Sequence, residues 1–139
     1  MQQNKATSLY WILRITFGAV PFLAGLDKFF NLLTHWDKYL SPFAQRLLPV
    51  SPATFLHLAG IIEMVVGIAI LTRWTRLGSY VAAIWLIGVG ANLLLAGYFD
   101  VAVRDLVMAV GAYTLARLSE IQTSEEESVQ PSLHQATMV

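Results

Sequence analysis

Cysteine is absent from the 139 residues. That absence removes disulfides, thiolate metal sites, thioether cofactor attachment and Cys-x-x-Cys redox chemistry together. Charge is scarce as well: 13% of residues are ionic, and nine basic residues cancel nine acidic ones. A neutral chain offers no electrostatic footprint to a polyanion, so no nucleic-acid partner is expected. The three histidines, His35, His57 and His134, show no ligand spacing, and no metal or haem site is expected. Gly88 and Gly90 lie inside an apolar run and follow no strand, so they form no phosphate loop. They read as packing glycines.

What the chain has in excess is apolar surface. Hydrophobic residues make up 56% of it, more than a soluble domain of this size can hide. Four apolar runs stand out, residues 9–33, 53–71, 77–96 and 101–118, against the roughly 20 residues a helical membrane crossing needs. The pattern predicts an all-α four-helix transmembrane bundle over residues 1–118. The fourth run is the weakest, being short and interrupted by Arg104 and Asp105, yet it is apolar all round from Leu106 onwards. The first run reads as a retained anchor, because it is long, contains Arg14 and lacks a small-x-small cleavage site.

Between the first two runs, residues 34–52 form an outer loop whose Pro42, Pro49 and Pro52 restrict helix to short pieces. Residues 119–139 are acidic and polar, with Glu125, Glu126 and Glu127 among Ser, Gln and Thr, and read as a disordered cytoplasmic tail. Lys5, Arg73, Arg76 and Arg117 fall on one side of the membrane against Lys38 and Arg46 on the other. That bias predicts a multi-pass protein of the cell (inner or plasma) membrane with both termini cytoplasmic. Most Trp and Tyr residues fall near run ends, where amphipathic rings sit at headgroup level, and Trp85 is the main exception.

Apart from His57 and Arg117 near run ends, six ionisable residues lie within the apolar runs: Arg14, Asp27, Lys28, Glu63, Arg104 and Asp105. Each costs about 2.5 to 3.5 kcal/mol near a helix centre, so pairing or protonation must offset most of that. Arg14, Gly18, Pro21, Gly25 and Lys28 repeat at steps of four and three, which makes one helical stripe. Leu56, Gly60, Glu63, Gly67 and Ile70 repeat the same steps, so both glycine-bearing stripes turn inward against other helices. Counting a rise of about 1.5 Å per residue puts Arg14 and Glu63 at similar depth, as an intramembrane ion pair. Asp27, Lys28, Asn92, Arg104 and Asp105 then gather near the outer end as a polar pocket. Each group has a bland reading as well: the ion pair as a lock on helix register, the outer cations as snorkelling side chains.

These residues resemble the DoxX-like family of small four-helix membrane proteins, over about residues 9–118. The resemblance is carried by Arg14, Gly18, Gly25, Lys28 and Phe29 in the first run, Glu63 and Gly67 in the second, and Asp105 in the fourth. Glutamate is common in the family where Asp105 stands, and the family's Gly/Pro-rich ending is replaced by the acidic tail. The resemblance implies a membrane subunit of a quinone-linked oxidoreductase assembly, with other subunits and the lipid bilayer as partners. It implies quinone as a non-covalent ligand, and it does not by itself imply catalysis. Two other functions stay open: a non-catalytic accessory subunit of a larger complex, and a small transporter or proton conductor built on Glu63. No internal repeat of the transporter kind supports the last.

Overall fold

A computed structural model describes residues 2–136, with side chains described for 6–125, 127 and 128. The described residues form α1 (Gln2–Asp27), a 3-10 turn (Trp36–Tyr39), α2 (Pro42–Leu47), α3 (Pro52–Leu71), α4 (Thr75–Leu95) and α5 (Phe99–Ala136). The four long helices make the all-α bundle that the apolar pattern predicts. Three segments, Ala6–Asp27, Pro52–Leu71 and Thr75–Leu95, are long and apolar enough to cross a membrane. α5 carries Arg104, Asp105 and Arg117 within its apolar stretch and packs along α4 as the fourth member.

α1 and α3 pack as one close pair, α4 and α5 as a second. Glycines set the first crossing: a Cβ on Gly60 would sit 2.6 Å from the Gly25 carbonyl oxygen, and one on Gly67 would press on Gly18. Removing Cβ lets the two backbones touch, which is how helices associate where lipid supplies no hydrophobic drive. The second pair closes through three alanines and a leucine, with Ala82, Ala83, Ala112 and Leu115 buried in one cluster with Tyr10 and Ile70. That core occupies the end of the bundle where the α3–α4 link lies, the link end. The opposite end, where residues 28–51 and the α4–α5 turn lie, is the loop end.

Local chemistry terminates each helix. α1 stops at Asp27, six residues short of the end of the apolar run at Leu33. Its carboxylate accepts hydrogen bonds from the backbone N–H groups of Leu32 and Leu33 at 2.9 to 3.1 Å, a local competitor to helix continuation. Asn31, at φ 51°, completes the reversal. Ser41 and Ser51 cap α2 and α3, each accepting from a backbone N–H three residues on, with Pro42 and Pro52 as the first helical residues. α4 ends in a Schellman motif: Tyr98 N–H donates to Leu93 O, Gly97 N–H to Leu94 O, and Gly97 takes φ +84°.

The chain after Ser119 departs from the disordered tail read in the sequence, because α5 continues as helix to Ala136. Between Ser119 and Gln130 there is no Gly or Pro to stop it. Glu120 also anchors the continuation, accepting from the Tyr80 hydroxyl at 2.8 Å and from Arg117 at 2.6 Å. Residues 137–139 of that tail lie outside the described residues.

Candidate ligand-binding cavity

The two helix pairs meet tightly at the link end and separate towards the loop end, leaving a cavity of about 670 Å³ between them. That volume falls in the range of pockets that take drug-sized organic ligands. Its walls come from all four long helices and from the outer loop, whose Trp36, Tyr39 and Leu40 close it at the loop end. Towards the link end the lining is apolar, including Phe17, Val66 and Leu86. The polar groups concentrate at the other end: Lys28, Glu63, Trp85, Asn92 and Asp105.

At the centre of those groups Lys28 Nζ lies 2.5 Å from Glu63 Oε2, and both side chains are nearly buried. The other carboxylate oxygen of Glu63 accepts from Trp85 Nε1 at 3.1 Å. Lys28 Nζ also sits 3.9 Å from the centroid of the Trp36 ring, and Trp36 Nε1 donates to Asp27 at 2.9 Å. The ammonium is thus held between a carboxylate and an aromatic face. Two buried charges bear a desolvation penalty of several kcal/mol each, which pairing at this distance and the added indole hydrogen bond offset. Asp105 is buried beside them and interacts electrostatically with Lys28, while its neighbour Arg104 reaches it at 3.1 Å from an exposed position.

The side-chain amide of Asn92 ties the outer loop to α4. Asn92 Oδ1 accepts from Ser41 N–H at 3.0 Å and Asn92 Nδ2 donates to Tyr39 O at 2.8 Å, a two-point bond between α4 and the loop backbone. Such a doubly bonded Asn replaces one backbone pairing and fixes the loop over the cavity.

The expected outer cluster is therefore partly assembled. Lys28, Asn92 and Asp105 line the cavity; Asp27 turns instead to the loop backbone and Trp36, and Arg104 stays on the surface. Glu63 joins the cluster rather than pairing with Arg14, which corrects the intramembrane ion pair. Arg14 donates to the carbonyls of Ile70, Leu71 and Thr72 and lies 4.7 Å from the Trp11 ring centroid. The register explains the exchange. With Gly18 facing Gly67 and Gly25 facing Gly60 in antiparallel helices, Arg14 falls level with Leu71 at the C-terminus of α3. Its last carbonyls are free of helical partners and sit at the negative dipole end. Run ends set Leu9 level with Leu71 at one boundary, whereas the glycine register sets Arg14 there, about five residues further along α1, and so lifts it away from Glu63.

Trp85, Trp36 and Tyr39 enter the site without having been singled out as candidates. Trp85 carried a signal, as the tryptophan farthest from a run end, where an indole N–H needs a buried partner. The glycines divide: Gly90 packs against Leu106, whereas a Cβ on Gly88 would meet nothing within 4 Å. Gly88 is not a packing glycine. His57 stacks on Phe29 with ring centroids 4.8 Å apart, and no group of three His, Asp or Glu among the described residues is placed to hold a metal.

The family model described as DoxX matches residues 9–99, more than half of the chain, covering α1 to the start of α5. No curated protein and no solved structure matches it.

Proposed function

The chain belongs to the DoxX family of membrane proteins, and on that premise we propose that it is the membrane subunit of a quinone-linked oxidoreductase assembly. The observation that carries this reading is the buried Lys28–Glu63 pair at the polar end of an otherwise apolar cavity among membrane-spanning helices. A quinone has that polarity: a flat ring with two acceptor oxygens on an apolar tail. Lys28 uses one of its three N–H donors on Glu63 and can offer another to a ring carbonyl. Reduction of the ring takes up two electrons and two protons, and the electrons come from a partner subunit. Glu63, Lys28 and Asp105 are the ionisable side chains beside the ring, suited to hold and pass the protons.

On this reading α5 is the fourth crossing, the membrane is the cell (inner or plasma) membrane, and both termini are cytoplasmic. Asp105 and Lys28 lie towards the outer face. The protein purified in nanodiscs and titrated with decylubiquinone, followed by quenching of tryptophan emission, tests the site. Lys28→Met and Asp105→Asn are each expected to weaken binding at least about tenfold. Unchanged affinity in both variants contradicts the assignment.

A second reading, a non-catalytic accessory subunit, is favoured by one feature: α5 continues as helix to Ala136, far longer than its neighbour α4, and gives a partner a helix to dock on. Deleting residues 125–139 would then release the partner complex while leaving decylubiquinone binding intact.

A further inference from the structure

Gly88 has no structural reason to be glycine. It lies in the interior of α4 and needs no left-handed backbone, and a Cβ there would meet open space. Every other helical glycine has a neighbour at 3.0 Å or closer to the position of its missing Cβ. Glycine is among the poorest helix formers, so an interior glycine without a packing role weakens α4 for no structural gain.

Its surroundings supply the gain. Gly88 lines the cavity and is itself exposed, and its companions on the rim are Ile84 on α4 and Ile62 on α3, 71% and 43% exposed. The two helices are in contact near their link, where Gly78 abuts Ile70. Further along, they are bridged by the Trp85–Glu63 hydrogen bond. Gly88 lies about one turn beyond that bridge, where its exposure and the empty space beside its Cα leave a gap at the cavity wall. Both helices are of membrane-spanning length and apolarity, so an opening at this depth faces acyl chains and admits lipid-soluble molecules. It is continuous with the polar end at Lys28 and Glu63.

We infer that the gap between α3 and α4 at Gly88 is a lateral portal, filled by the branched prenyl tail of a ligand whose headgroup lies at Lys28–Glu63. The headgroup part rests on the quinone reading. The portal needs only an apolar chain, and the missing Cβ gives a methyl-branched chain room to pass the helix backbone. Ile62 and Ile84 supply the apolar sides.

Two photoprobes separate the parts: a ubiquinone analogue with a diazirine in its prenyl tail, and a diazirine-bearing prenyl alcohol with no ring. Each is applied to the full chain in nanodiscs, and labelled residues are found by peptide mass analysis. Both are expected to label α4 around Ile84 and Gly88, and Gly88→Trp is expected to cut that labelling at least about tenfold. Gly88→Ala should retain most of it, and unfolding midpoints no lower than wild type in both variants would show that the bundle is intact. Absence of labelling there by either probe, or undiminished labelling in Gly88→Trp, overturns the portal. Labelling that Gly88→Trp abolishes but excess tailless benzoquinone does not compete away upholds the portal and overturns the quinone reading.

Discussion

Arg14 and Lys28 stand on the same stripe of the same helix, yet they meet opposite surroundings. Arg14 lies level with the end of α3, where three carbonyls and an aromatic ring receive its guanidinium. It is saturated by backbone, which has nothing to exchange. Lys28 lies beyond the glycine crossing, where the helix pairs have separated, and its partners are the Glu63 carboxylate and the Trp36 ring at the wall of a cavity. A stripe position thus decides that a charge faces inward, and the depth of the neighbouring helix end decides whether that charge is structural or available to a ligand.

The sharpest way to break this contrast is to remove one member of the Lys28–Glu63 pair. Lys28→Ala should destabilise the bundle by about 3 to 5 kcal/mol, because Glu63 is left buried and unpaired. Denaturant unfolding in mixed micelles measures this, and the double variant Lys28→Met/Glu63→Gln should lose less than either charge-orphaning single substitution. Next in size, Arg14→Ala should cost about 1 to 2 kcal/mol, since its partners are neutral carbonyls at a helix end. Quinone affinity should not change in that variant, and a loss of binding equal to that of Lys28→Met would erase the distinction between the two cations. The smallest effect has the opposite sign: Gly88→Ala should stabilise α4 by about 0.5 to 1 kcal/mol, because the added methyl improves helix propensity and meets no neighbour. A thermal unfolding midpoint below that of wild type would mean that the glycine serves packing after all.

Much of the architecture was legible in periodicity. The two glycine-bearing stripes were legible as inward faces and Pro52 as the approach to α3, while the crossing of α1 with α3 shows only in the fold. The inward position of Lys28 and Asp105 could also be read, since both charges interrupt apolar runs that lipid would not tolerate. What could not be read was pairing, because it depends on where helices end in space. Hydropathy carried the first run through Phe29, Phe30, Leu32 and Leu33, whereas the Asp27 carboxylate ends the helix by binding the backbone beyond it. The same limit applies after Ser119, where polarity suggested disorder but Tyr80 and Arg117 hold Glu120 in a continuing helix. Gly88 was indistinguishable from Gly90 by spacing. Only the empty space beside it separates them.

On the proposed function, the Lys28–Glu63 end of the cavity receives the headgroup of a lipid-soluble quinone. An experimentally determined structure of the protein prepared with decylubiquinone tests it most directly. Ring density is expected within hydrogen-bond distance of Lys28 Nζ and beside Trp85, with the tail leaving past Gly88 between α3 and α4. Quinone density confined to the outer surface of the bundle, with the cavity closed by side chains, would contradict it.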